Sequence, residues 1–133
     1  MRINRYAFRQ DSGGAGQWRG GCGIVREYEL VADQAVLTAW FERSQTPAWG
    51  IFGGDAGAPP QITINPGRED ERTLLKVSAL PLSRGDVVRT ETGGGGGCGP
   101  VGKRDQESVA LDVLDGVVSV EAAREKYGAE VPT

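Results

Sequence analysis

The sequence predicts an α+β fold, mostly antiparallel β, with a short C-terminal helical hairpin and long glycine-rich loops. Three observations carry this. Apolar and polar residues alternate over short runs through the first hundred positions, runs of glycine separate those segments, and the apolar spacing becomes helical after Asp105. The chain reads as a single domain over 1–133, β-rich over 1–100 and helical over 105–128.

The first ten residues alternate weakly, with Ile3, Tyr6 and Phe8 apolar and Arg2, Asn4, Arg5 and Arg9 polar. They form a short strand that begins abruptly, as though something should precede it. Gly23 to Val31 is a second strand, with Val25 and Glu27 on one face and Ile24, Arg26 and Tyr28 on the other. Gln34 to Glu42 is a third. Ala35, Leu37, Ala39 and Phe41 oppose Val36, Thr38 and Trp40, so this strand is expected to be covered on both faces.

Gln61 to Asn65 is a short β segment, followed by the polar turn Pro66–Arg72, whose charge run reads as a solvated face. Leu74 to Val77 is strand-like. Leu80 and Leu82 then lead through a Gly85-Asp86 turn into a strand over Val87–Thr92. Asp105 caps a helix through Glu107–Asp115, which Gly116 ends. Ser119 caps a second over Val120–Tyr127, closed by Gly128.

The connections are the most distinctive part. Asp11-Ser-Gly-Gly-Ala-Gly-Gln-Trp-Arg-Gly-Gly-Cys-Gly23 mixes glycine with an acid, a tryptophan and an arginine, unlike a floppy Gly/Ser linker. Glycine permits positive φ and lets one backbone approach another, or a ligand, closely. Successive amides in such a turn can cradle an anion. For this segment that reading and simple loop packing stand level, with Asp11 and Arg19 either facing a ligand or pairing with each other. No Gly-Lys-Ser/Thr ending follows, so it is not a P-loop. The run Gly93–Gly97 is read as close packing against a neighbouring chain or domain. In the loop Thr46–Pro60, the large residues Trp49, Ile51 and Phe52 need a surface to cover them.

Composition narrows the chemistry. Histidine is absent, which excludes a histidine base, a Ser-His-Asp triad and a histidine-ligated metal from this chain. Cys22 and Cys98, the only cysteines, read as partly buried thiols; half of a metal site completed by another chain is the sharper alternative. The net charge of −3 and the lack of a basic stripe argue against nucleic acid. No apolar run approaches the ~20 residues a bilayer span needs, and no secretory signal opens the chain, so a cytoplasmic location is expected. Glycine, at 21 residues, removes side chains from the core and predicts limited stability alone.

Taken together and in order, five segments resemble the C-terminal region of the hydantoinase B/oxoprolinase family. They are Asp11–Gly21, Trp49-Gly-Ile-Phe-Gly-Gly54, Leu82-Ser-Arg-Gly-Asp-Val-Val88, Glu91-Thr-Gly-Gly-Gly-Gly-Gly-Cys-Gly99 and Asp112-Val-Leu-Asp-Gly-Val-Val-Ser-Val-Glu-Ala-Ala123. Members of this family usually run to several hundred residues. The chain looks like their last quarter, either a fragment or one part of a split polypeptide.

The family includes ATP-dependent hydantoinases, 5-oxoprolinase, and acetone and acetophenone carboxylases, and a separate small subunit is associated with the acetophenone carboxylase type. The resemblance therefore implies a non-catalytic subunit of an ATP-dependent carboxylase complex that joins bicarbonate to acetophenone to give benzoylacetate. A subunit of an N-methylhydantoinase or oxoprolinase-type amidohydrolase, and an independent anion-binding module, are the alternatives. It also implies hydantoinase-B-like and hydantoinase-A-like large partners. ATP and a divalent cation would be held by the complex, with no cofactor in this chain. Cys22 and Cys98 stand where apolar or aromatic residues are expected in relatives. The candidate residues for a substrate- or partner-facing loop are Asp11, Ser12, Gly13, Gly14, Arg19, Trp49 and Phe52, with no catalytic residue and only Cys22 and Cys98 as weak metal candidates.

Overall fold

A computed structural model describes residues 1–130. Its elements are β1 (Arg2–Phe8), β2 (Ile24–Glu29), β3 (Gln34–Trp40), β4 (Gln61–Ile64), β5 (Arg72–Leu74), β6 (Lys76–Ser83) and β7 (Val87–Glu91), then a 3-10 turn (Val101–Lys103), α1 (Gln106–Leu114) and α2 (Val120–Tyr127). The α+β prediction holds. A five-stranded antiparallel sheet runs in the order β1-β2-β7-β4-β5, and β3 pairs with β6 in a separate two-stranded sheet.

Alternation along the strands separates the faces of the large sheet. Cross-strand partners place Ile3, Tyr6, Phe8, Ile24, Arg26, Tyr28, Val88, Ile62 and Ile64 on one face. The β3–β6 ribbon covers only part of that face. Its Ala35, Leu37, Ala39, Val77, Leu80 and Leu82 pack with Leu30, Ile62, Ile64 and Val88 into one apolar core. The opposite face carries the ion pairs Arg2–Glu29, Arg89–Glu27 and Arg9–Glu91.

Two expectations change. β3 is covered on one face only: Val36 and Trp40 on the other face remain 68% and 65% exposed, because none of the described residues lies beyond the ribbon. The strand-like stretches around Leu74–Val77 and Leu80–Leu82 resolve into a three-residue β5 and a continuous β6. β6 survives a backbone irregularity at Ala79, whose φ is 52° and whose N–H donates to Thr38 Oγ1 at 3.1 Å. Pro81 is tolerated because β6 has an open edge where a proline removes no ladder bond.

The helices follow their caps. Asp105 accepts from Ser108 N–H, and Ser119 from Ala122 N–H; Gly116 and Gly128 take φ of 71° and 61°. Together with Ala15, they bury Val109, Val118, Ala123, Tyr127 and Ala129 in a second core.

Between the two cores lie the glycine-rich segments, packed on one another. Each of the three bonds to the other two. From the first segment to the third run Gly14 N–H to Gly95 O at 2.8 Å and the reciprocal pair Trp18–Cys98 at 2.9 Å. The middle segment reaches the third through Ile51 N–H to Gly97 O and Gly97 N–H to Asp55 O, at 2.9 and 2.8 Å. Asp55 N–H to Ala15 O at 2.7 Å joins the first and middle segments. None of Gly93–Gly97 has positive φ, so this run exists for close approach. The expected neighbouring chain is instead the chain's own loops. A Cβ at Gly94 would stand 1.7 Å from Ser12 O, and one at Gly97 2.1 Å from Ala15 O.

At the β4 end, Asn65 adopts φ 51° and is buried. It accepts from Val87 N–H and donates to Asp86 and Asp70, at 2.8, 3.0 and 2.6 Å. Asp86 also accepts from Ser83 N–H at 2.7 Å. That backbone bond, then the Asn65 amide, hold its carboxyl below the usual carboxylate range.

Two outcomes test this fold. Gly94→Ala forces backbone apart and is expected to cost about 3 kcal/mol or more in urea unfolding, whereas Gly21→Ala, which meets nothing within 4 Å, is expected to be neutral. Because the Asp86 pKa is lower folded than unfolded, its stabilisation is present at neutral pH and is lost as pH falls below about 4. Asp86→Asn is therefore expected to lower the urea midpoint at neutral pH and to flatten its decline on acidification.

Candidate functional site: the glycine bundle, its clasp and its apolar rim

The candidate residues separate into an interior set and a rim. Ser12 is buried; its hydroxyl donates to Arg9 O and accepts from Gly23 N–H at 2.8 Å. Gly13 and Gly14 lie against Gly20 O and Asp55 O, with no room for a side chain. The amides of Gly14, Gln17, Trp18, Gly20 and Gly23 all donate within the chain, as do those of Gly94, Gly95 and Gly97. These amides are committed to the fold and are not free to cradle an anion.

Asp11 and Arg19 do not pair with each other. Asp11, at φ 58°, accepts from Ser119 N–H at 2.8 Å and so helps start α2. Arg19 reaches α1, where its Nε and Nη2 grip Asp112 at 3.1 and 3.0 Å. Its Nη1 donates to Gly20 O at 2.8 Å and to Cys22 Sγ at 3.3 Å. Arg104 takes the same carboxylate at 2.7 Å, donates to Gln17 O at 3.2 Å and lies 6.0 Å from the Tyr127 ring centroid.

The side chains of Arg19, Asp112 and Arg104 are 18%, 11% and 11% exposed. Burial works against the Arg19 charge, but the hydrogen bonds and charge of Asp112 outweigh it and hold the guanidinium above its ordinary pKa. Burial likewise pushes the Tyr127 phenol up. Among the described residues, Arg104 Nε is the one buried side-chain nitrogen or oxygen without a partner. This arrangement clasps the first glycine segment to the helical hairpin. Its hydrogen bonds and charge pairs are those of a structural ion network.

The rim is apolar. Trp18 and Ile51 each bridge to Cys98, one antiparallel and one parallel, so they flank it. Trp18 and Trp49 are 67% exposed and Phe52 is 83% exposed. Phe52 has φ 50°, and the Arg43 guanidinium lies 5.0 Å from the Trp49 ring centroid. The closely packed backbone beneath holds these side chains outward, uncovered by the described residues. Cys22 and Cys98 are half-buried free thiols. Among the described residues, no group of three or more acids or cysteines gathers to hold a metal. No helix of the described residues is long and apolar enough to cross a membrane.

Sequence reading missed the clasp's other half. Asp112 falls three residues after Val109, on the buried face of α1, and an acid at that position is the signal that a cation must meet it. Nothing local tells which arginine answers.

The stretch that forms the antiparallel sheet and the glycine bundle matches a known family. Residues 1–101 match Hydantoinase B/oxoprolinase, and the chain belongs to that family. It is 36% identical over 132 residues to an uncharacterized protein of Methanocaldococcus jannaschii, covering 98% of this chain and 23% of that protein. It is 32% identical over 140 residues to the beta subunit of caprolactamase from Pseudomonas jessenii, covering 97% and 23% of the two. A putative D-/L-hydantoinase polypeptide of a Pseudomonas species (strain NS671) is 31% identical over 134 residues, covering 98% and 22%.

Among solved structures, ATP-dependent caprolactamase from Pseudomonas jessenii superposes with a TM-score of 0.82 at 30% identity, over 98% of this chain and 23% of that one. Nucleotide-free acetone carboxylase shares the fold, with a TM-score of 0.76 at 21% identity over 95% and 21%. The chain thus spans less than a quarter of the length of these curated relatives.

Asp112→Ala leaves two arginines buried without a counter-charge. It is expected to cost about 3–5 kcal/mol in denaturant unfolding and to speed amide exchange in α1 and in residues 14–20 together. Destabilisation confined to α1 would show that the clasp does not hold the glycine segment.

Proposed function

We propose that this chain is a non-catalytic part of an ATP-dependent carboxylase or amidohydrolase complex, in which it completes a hydantoinase-B-like large subunit. The observation that carries this reading is the apolar rim of Trp18, Trp49, Ile51 and Phe52, held outward on a rigid backbone and left uncovered. Exposed apolar groups in that arrangement mark an interaction surface. The charged groups of the interior serve the fold, which supports placing the chemistry elsewhere. A hydantoinase-A-like partner handles ATP with a divalent cation, and the complex works in the cytoplasm.

For the reaction, the leading reading is carboxylation of acetophenone by bicarbonate to benzoylacetate. The fold shared with acetone carboxylase supports it. ATP-driven opening of a lactam or hydantoin ring is the second reading, favoured by the greater likeness to caprolactamase.

Reconstitution with and without this chain tests the proposal. ATP-dependent turnover is expected only when the chain is present, with labelled bicarbonate entering product for a carboxylase and free amino acid appearing for a ring-opening enzyme. Trp49→Ala is expected to weaken assembly at least tenfold, about 1.4 kcal/mol, while leaving the unfolding midpoint unchanged. Full activity of the large subunits alone would refute the role.

A further inference from the structure

We propose that the open edge of β1 accepts a β-strand from the polypeptide that carries the rest of the hydantoinase-B-like unit, extending the five-stranded sheet by strand addition; this rests on the subunit reading above. The two ends of that sheet differ. At one end β5 is three residues long and leads almost directly into β6, which leaves little edge to pair. At the other, β1 offers seven residues and stands at the end of the strand order. An exposed edge of that length is a template for another strand.

Arg9 N–H donates to Gly23 O at 2.8 Å, toward the β2 side. By strand alternation the amides of Tyr6 and Phe8 point the other way, into the open edge. The side chains on that end agree. Ile3, Tyr6 and Phe8 are 64%, 63% and 68% exposed, on the same sheet face that buries Ile62, Ile64 and Val88 further in. Tyr6, Ala7, Phe8 and Ile24 line a shallow, almost wholly apolar recess there. The β3–β6 ribbon stops short of it, so the apolar face runs on past its own cover.

Charge selects the occupant. On the opposite face Glu29 takes Arg2 at 2.6 Å and Glu27 takes Arg89 at 2.9 Å. Arg5, the register partner of Glu27, is left without a carboxylate among the described residues. The incoming strand therefore alternates apolar residues over Ile3, Tyr6 and Phe8 with an acid set against Arg5. A second copy of this chain fits poorly, since pairing two β1 edges brings Arg5 against the arginines of the other copy. The relatives hold more than three quarters of their length outside the stretch matched here, and that length is the source of the strand.

The test is amide hydrogen exchange of the full chain, free and in the complex with its large subunits. The Tyr6 and Phe8 amides are expected to exchange about a hundredfold more slowly in the complex, while the outer face of α1 is unchanged. Phe8→Pro removes an outward N–H without touching the β2 ladder. It is expected to weaken assembly at least tenfold, as is Arg5→Glu, with unfolding midpoints preserved.

A complex that forms while Tyr6 and Phe8 exchange as fast as in the free chain overturns the strand addition and leaves the subunit reading standing. Protection of β1 in the free chain that grows with its concentration overturns it in favour of a second copy. Failure to form any complex refutes both.

Discussion

The fold depends on backbones that touch. Three glycine-rich segments, far apart in sequence, approach until the position of a single Cβ would overlap a carbonyl oxygen, as at Gly94 against Ser12 and Gly96 against Trp49. Such contact is open only to glycine, and it replaces buried side-chain area, the usual cohesion of a core, with hydrogen bonds between main chains. Each bond contributes about 1 kcal/mol net, so many are needed, and the segments supply them in all three pairings. The opposing term is entropic, because glycine has the most conformational freedom to lose. The bundle consequently persists only where something fixes its ends.

Those fixings are visible on both sides. β2 and β7 run directly into the bundle, with Thr92 N–H donating to Ile24 O and Ile24 N–H to Thr92 Oγ1 at 2.9 and 2.7 Å. On the other side, the Arg19–Asp112–Arg104 clasp and the Asp11 bond to Ser119 bind the first segment to the helices. Neither helix is long enough to persist alone, so the dependence is mutual. The helices bury their apolar stripe on Ala15, and the glycine segment takes its shape from the helices.

Local chemistry made much of this legible. Caps at Asp105 and Ser119 and stops at Gly116 and Gly128 bound the helices because each acts within a turn of its own position. Strand alternation sorted Val25 and Glu27 from Ile24 and Tyr28 for the same reason. What could not be read are contacts set by tertiary approach. Arg19 and Asp112 are 93 residues apart, and no spacing rule links them. The outer face of β3 looked buried because Val36 and Trp40 are apolar, yet residue type reports a need for cover and not who provides it. The glycine runs were informative as a family signature while their physical purpose, mutual contact, was hidden.

An interior built from main chain also constrains the surface. Glycine segments hold no large side chains inside, so the large residues interspersed among them, Trp18, Trp49, Ile51 and Phe52, have only the outside to occupy. A rigid support then fixes where they stand. Fixed aromatic anchors lose little conformational freedom on binding, which is the favourable case for a partner. The same construction explains why Asp112 and Arg104, the least exposed side chains among the ion pairs, are engaged with each other and with Arg19. A bundle lacking side-chain packing needs strong, directional ties at its margin, and an ion network with several hydrogen bonds supplies them. Binding surface and structural clasp are thus two consequences of one choice, to build the centre of the module from backbone.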